Sequence, residues 1–344
     1  MSGNATTIQT SSVIFSAQKP VLRYAFGSAI VMMAAMAFDY TLGYLTPVLA
    51  LNFLAPGAKP PTLKSSLFFL LLISGTSLAG ILFSRFFIDY PLVFLPLLVL
   101  IIFHLYYANI LPQMKIWFLI SLLLIPMISQ QSAQLAGVVA ANLVVNALLA
   151  IVLVTIVYFL FPEKNYSAEQ KKAQAKENLT PKQRYHEALK KTLVILPVLV
   201  LFFVFSITNA LLVLIFVAIL SMNPATSNKK AGIALILANL GGGLAAIIAF
   251  NLLTVVPDFI FLGLITLFTG LLMGQKLFSK KPLSSLFGTA FSTFLLILGN
   301  VTSFVGEAGE MVWTRIFQLA IVVIYVVVAF YVVNDFMPTR KTVN

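Results

Sequence analysis

Apolar residues in this chain run in long unbroken blocks, with neither the strict alternation of a strand nor the one-sided spacing of a surface helix. Short turns rich in Pro, Gly, Asn and charge separate them. In the first half the blocks fall near 22–38, 42–55, 66–87, 92–108, 115–129 and 136–161, and in the second near 192–207, 209–222, 231–253, 257–275, 283–299 and 312–334. A hydrocarbon core of about 30 Å needs roughly 20 apolar residues of helix, and the blocks Ser66 to Phe87 and Leu135 to Phe161 reach that length. A transmembrane barrel would require alternating polar and apolar positions, which the blocks lack. The pattern therefore predicts an all-α polytopic membrane protein of about twelve transmembrane helices, six in each half. The second block of each half is short, which leaves half-spanning or tilted helices at those two places.

Composition narrows the class. Charged residues make up 9% of the 344 and hydrophobic ones 60%, with mean hydropathy +1.01, whereas a soluble domain carries about 25% charged residues. The formal charge of +12 is explained by loop lysines facing anionic lipid rather than by nucleic acid. Cysteine is absent, so no disulfide, thiolate metal site or cysteine nucleophile is available. The polar first twenty residues precede no short apolar core with a cleavage site, so no cleaved signal peptide is expected. No phosphate loop, HExxH or GxSxG motif occurs. The expectation is a protein that is not an enzyme, with no cofactor and no metal.

Charge sorting tests the topology. With the N-terminus in the cytoplasm, the loops after even-numbered blocks take Lys59, Lys64, Lys115, the central linker, Lys229, Lys230, Lys276, Lys280 and Lys281. Both termini add further basic residues to the same side. Of the 22 Lys and Arg only Arg85 and Arg315 fall outside, while the external turns carry Asp39, Asp89, Asp258, Glu307 and Glu310. The resulting organisation is a polar tail 1–20, a six-helix repeat 21–162, a charged cytoplasmic linker 163–191, a second repeat 192–336 and a tail 337–344. The pairs Pro56 and Pro224, and Gly75 and Gly243, are each 168 positions apart, which favours a parallel repeat about an axis along the membrane normal. The linker holds eight basic and four acidic residues and reads partly as a polar helix after Ser167. It is a solvated connector or a docking surface.

Polar groups at membrane depth are costly and become candidates for function. Arg315 opens the last block on the external side, where a guanidinium can hold a carboxylate bidentately or pair with Glu310 or Asp258. Arg85 lies one turn before Asp89, with which it could form an i,i+4 bridge. His104 and Asp39 are the proton-coupling candidates, the first as the side chain that titrates near neutrality, with packing and an ordinary loop acid as the plainer readings. Asn142 and Asn146 share a face of the sixth block, and Asn239 precedes Gly241-Gly242-Gly243. These could line a polar path or act as interhelical glue. Ser74-Gly75-Thr76-Ser77 with Gly80 forms a matching small-residue stretch, while Phe202, Phe203 and Phe205 read as packing or lipid-facing.

The basic opening Lys19 to Arg23, the short second block from Leu45-Thr46-Pro47 to Pro56, the turn Lys59 to Lys64 and the stretch Ser74 to Gly80 together resemble the fusaric acid resistance type of inner-membrane permeases, relatives of the aromatic acid exporters. An Arg opening a last block that ends at Pro338 adds to the likeness. The chain differs in lacking a large soluble region after each half. The resemblance implies proton-driven export of small amphipathic or aromatic anions from a bacterial inner membrane. It also implies a periplasmic adaptor of the HlyD type and an outer-membrane channel as partners, and an assembly of identical copies is compatible with it. In that reading Arg315, with Arg85, attracts the substrate carboxylate near the repeat interface, and rocking of the repeats exposes it outward. A membrane scaffold docked through the linker and a passive anion channel are the competing expectations.

Overall fold

The computed structural model describes residues 3–38, 42–110, 112–162, 180–205, 211–222, 229–279 and 283–302, with 207, 281 and a discontinuous set within 317–337. Among them are eleven helices and no strand: α1 (Gly3–Ala37), α2 (Leu45–Leu54), α3 (Leu63–Phe87), α4 (Pro91–Tyr107), α5 (Pro112–Ser129), α6 (Ala133–Leu160), α7 (Pro181–Val204), α8 (Leu211–Ser221), α9 (Lys229–Val255), α10 (Phe259–Leu277) and α11 (Ser285–Thr302). Further helical residues lie between 317 and 336. Six of the helices are long and apolar enough to cross a bilayer, and α2, α4, α5 and residues 324–333 supply shorter apolar segments. The chain is an all-α, multi-pass membrane protein.

Each of the first eleven apolar blocks coincides with a helix, and the largest differences lie at two starts. α1 begins at Gly3, well before its apolar stretch, and α7 begins at Pro181 inside the charged linker. The second start has a local cause. The Thr180 side chain accepts from the Gln183 backbone N–H, and the Gln183 side chain accepts from the Thr180 N–H, a reciprocal capping box with Pro181 at the first helical position.

Two compact units are formed. The first takes Met1–Ser66, Leu148–Ala175 and Gly241–Val305; the second takes Leu67–Ala147, Lys176–Leu240 and Gly306–Asn344. Each unit thus draws on both halves of the chain.

In the first unit small residues let helices touch along their backbones. A Cβ on Gly270 would lie 3.0 Å from the Ala25 Cα, one on Gly274 3.3 Å from the Tyr24 ring, and one on Gly263 would overlap Met33. These glycines on α10 seat it against α1, where dispersion from close approach takes the place of a hydrophobic driving force. Gly27 does the same for Leu54 and Val157. A Cβ on Gly242 of α9 would overlap the Ala290 carbonyl of α11. α11 runs through the middle of this unit, with Phe291, Phe294, Leu295 and Leu298 wholly buried.

In the second unit α5 is buried on all sides from Ser121 to Ile128. Gly80 of α3 meets the Ser121 carbonyl, a Cβ there lying 3.1 Å away. Beside it the Thr76 and Ser121 hydroxyls hydrogen-bond at 3.2 Å. Phe94 of α4 stacks on Phe203 of α7 at 4.7 Å between centroids. The reading of Phe202 and Phe203 as packing residues fits their burial, while Phe205 is exposed. Gly75 and Gly241 face open space, and α3 and α9 run unbroken through their glycine stretches. The glycines there serve close packing at Gly80 and Gly242 rather than unwinding.

Candidate functional site

Of the candidate residues, the structure brings Asn142 and Asn146 together on α6. Arg315 and Asp39 lie outside the described residues. Arg85, in the last turn of α3, and Asp89 are both exposed and no ion pair joins them. His104 is exposed on α4, and its Nδ1 lies 3.0 Å from the Leu100 carbonyl one turn earlier. Its ring stands edge-on to Phe103 at 5.8 Å. Asn146 is fully buried on α6 and donates to the Asn142 carbonyl at 2.6 Å; Asn239 is buried on α9 and donates to the Leu235 carbonyl at 2.8 Å. Each amide thus donates to its own helix one turn earlier.

More organised polar groups stand where the two short helices end. α2 has ten residues and α8 eleven, about 15 Å each at 1.5 Å per residue. At the end of α2, in the first unit, the Tyr158 hydroxyl donates toward two carbonyls, Phe53 at 2.9 Å and Ala58 at 3.2 Å. The Arg23 guanidinium lies over the Tyr158 ring, 4.4 Å from its centroid. Arg23 is 3% exposed and Tyr158 7%. Before α2 the backbone turns sharply, with Leu42 at φ 63°, a left-handed conformation costly for a branched side chain. Tyr44 and Thr46 then enter the interior.

At the end of α8, in the second unit, the buried Ser221 hydroxyl bonds Tyr106 Oη at 2.7 Å. Lys115 of α5 donates to the Tyr106 carbonyl at 2.8 Å, placing a cation on the C-terminal carbonyls of α4. Gln130 at the far end of α5 donates to the Phe203 carbonyl at 3.3 Å. Lys190 of α7 is buried, and that burial pushes its ammonium below the ordinary lysine range, opposed by the charge of Glu187. Thus each short helix ends beside a tyrosine hydroxyl, and a cation lies against that same tyrosine, on the ring of Tyr158 and on the backbone carbonyl of Tyr106.

Residues 20–160 match the model of a family described as protein of unknown function (DUF2955). The match covers less than half of the chain and runs from α1 to the end of α6, so Arg23 and Tyr158 fall near its two ends. No curated protein and no solved structure matches the chain.

One open groove of about 510 Å³ lies in the second unit between α7 and residues 321–333, lined by Leu193, Pro197, Ile321, Ile324 and Tyr325. It is apolar throughout, and the Tyr325 hydroxyl is spent on the Val194 carbonyl at 2.8 Å. Such a groove suits an acyl chain rather than an oriented anion.

Sequence reasoning missed Arg23, Tyr158, Tyr106, Ser221 and Lys115 as site residues. Lys115 and Arg23 were legible only as topology markers, because nothing local announces that they bend back onto a helix end. No sequence spacing links Tyr158 to carbonyls that lie 100 and 105 residues earlier in the chain.

Proposed function

We propose that the protein is a secondary efflux permease for small amphipathic or aromatic anions. The observation that carries this reading is the pair of half-length helices, α2 and α8, each the second helix of its half of the chain. Helices that stop inside hydrocarbon expose backbone groups that lipid cannot satisfy, so they persist where protein groups or a water-lined path supply partners. Unusually short apolar segments at corresponding places in two halves are the pattern by which transporters hold substrate near the midplane. Buried Asn146 and Asn239, and the Thr76–Ser121 pair, support it as polar groups kept inside apolar helices.

In this reading the membrane is a bacterial inner membrane with both termini cytoplasmic, as the charge sorting favours. Arg315 and Arg85 attract the carboxylate at the external side. His104 or Asp39 exchanges the proton, and a periplasmic adaptor with an outer-membrane channel carries the product away. The resemblance to fusaric acid resistance permeases supports the cargo class.

The test is efflux of a small aromatic carboxylate from proteoliposomes under an imposed pH gradient. Gradient-driven flux that Arg315→Ala reduces at least about tenfold supports the reading, that factor corresponding to about 1.4 kcal/mol of lost interaction. Flux that ignores the pH gradient and follows voltage would assign a passive anion channel instead. Absence of flux, with loss of a bound protein on deleting Glu169 to Lys182, would assign a scaffold.

A further inference from the structure

The second unit carries a cluster of cations that the transport reading does not use. Lys115 opens α5, and Arg184 and Lys191 sit seven residues apart on α7, hence on one face two turns apart. Lys115 donates to the Tyr106 carbonyl and the Arg184 guanidinium faces the ring of the next residue, Tyr107, at 5.9 Å, so cations from two helices stand at the C-terminal end of α4, where Lys191 also acts electrostatically on Lys115. Glu187, the acid on this stretch of α7, acts on Lys190. Like charges in a half-buried place repel one another strongly, and an anion among them reverses the sign of the interaction.

Two further observations point to a ligand. The Arg184 Nε–H is buried without a hydrogen-bond partner in the structure, and its guanidinium faces the Tyr107 ring at 5.9 Å. A buried guanidinium donor left unmade is expensive, so the position is one an acceptor oxygen should fill. Around the cations lies an aromatic rim: Phe103 meets Tyr185 edge-on at 5.4 Å and stacks on Tyr107 at 6.4 Å, and Tyr107 and Tyr185 are both exposed. Below the rim, Leu100 on α4 is half exposed and apolar. Tyrosines at a level between apolar surface and clustered basic groups mark the headgroup depth of a bilayer.

We infer that Lys115, Arg184 and Lys191 form a binding site for a phosphate group, that of an anionic phospholipid headgroup, with Tyr107 as its wall. The guanidinium supplies directional hydrogen bonds to the phosphate oxygens, the ammoniums add charge, and the acyl chains lie along the exposed face of α4. This site does not depend on whether the protein transports anything.

The test uses the full chain in nanodiscs of phosphatidylcholine with or without phosphatidylglycerol, with retained lipid counted by native mass spectrometry and the unfolding temperature followed in parallel. Phosphatidylglycerol should be retained about tenfold over phosphatidylcholine and should raise the unfolding temperature. Arg184→Gln should lower that preference about tenfold, as loss of one charge-assisted contact predicts, while Lys64→Gln, an exposed lysine at the start of α3, should keep it. Arg184→Lys should restore part of the preference, which separates loss of binding from loss of folding. Inorganic phosphate added to phosphatidylcholine discs distinguishes the source: stabilisation by phosphate that Arg184→Gln abolishes, without lipid preference, would keep the phosphate site and overturn the lipid assignment. A lipid preference unchanged in Arg184→Gln and Lys115→Gln, or no response to either phosphate source, would overturn the site.

Discussion

The Arg23 guanidinium lies 4.4 Å from the centre of the Tyr158 ring, while the hydroxyl of the same ring serves the Phe53 and Ala58 carbonyls. One tyrosine therefore holds α1 by its face and the end of α2 by its edge. Tyr158→Phe keeps the face and removes the hydroxyl's bonds to the two carbonyls, which should cost about 1–2 kcal/mol. Tyr158→Leu removes the cation–π contact as well, for about another 0.5–2 kcal/mol. Thermal unfolding in one detergent should rank wild type above Phe above Leu, and equal midpoints for Phe and wild type would remove the role of the hydroxyl.

Adjacent glycines on α9 should respond in opposite ways. Gly242→Ala drives a methyl into the Ala290 carbonyl, a clash that backbone must absorb, at a cost of about 1–3 kcal/mol or more. Gly241→Ala meets nothing within 4 Å and should gain up to about 1 kcal/mol from helix propensity. Yield of folded protein and melting midpoint measure both, and similar behaviour of the two variants would refute the close α9–α11 approach.

Tyr106 and Ser221 bury their hydroxyls against each other. Tyr106→Phe and Ser221→Ala should each cost about 1–2 kcal/mol by removing the buried hydroxyl–hydroxyl bond, whereas the double variant should cost less than their sum by about 1 kcal/mol. A double-mutant cycle on chemical unfolding gives the coupling directly, and strict additivity would mean that the pair does not interact.

Lys190 should give stability a pH slope. Its proton is held more weakly in the fold than in the unfolded chain, because burial disfavours the ammonium. The unfolded chain then carries more protons, so stability rises with pH from the lowered value toward the ordinary one near 10.5. Lys190→Gln should flatten that rise. Melting midpoints of the two proteins between about pH 7 and about pH 10 provide the comparison, and parallel curves would exclude it.

Membrane helices were legible because length and uninterrupted apolarity suffice to make them, and from Ser66 to Phe87 or Leu135 to Phe161 no other element competes. The shortness of α2 and α8 was legible too, since Pro56 and Pro224 end their blocks. The start of α7 was not placed by apolarity, because the capping box at Thr180 and Gln183 overrides the charge of the residues that follow. Which polar residues matter was the least legible. Titratable type singled out His104, yet it rests on its own helix, while Tyr158 and Tyr106 gained their partners only through packing between distant segments.

The glycine face of α10 against α1 has a consequence for biosynthesis. α1 and α10 meet backbone to backbone in the first unit yet are made far apart in time, so α1 must wait in the bilayer on the order of tens of seconds of translation before Gly263, Gly270 and Gly274 emerge. Until then its small-residue face, with Ala25 and Ala29, has only lipid or an insertion factor to lie against. A nascent chain stopped short of α10 should therefore expose α1 to crosslinking by such a factor, and the appearance of α10 should release it.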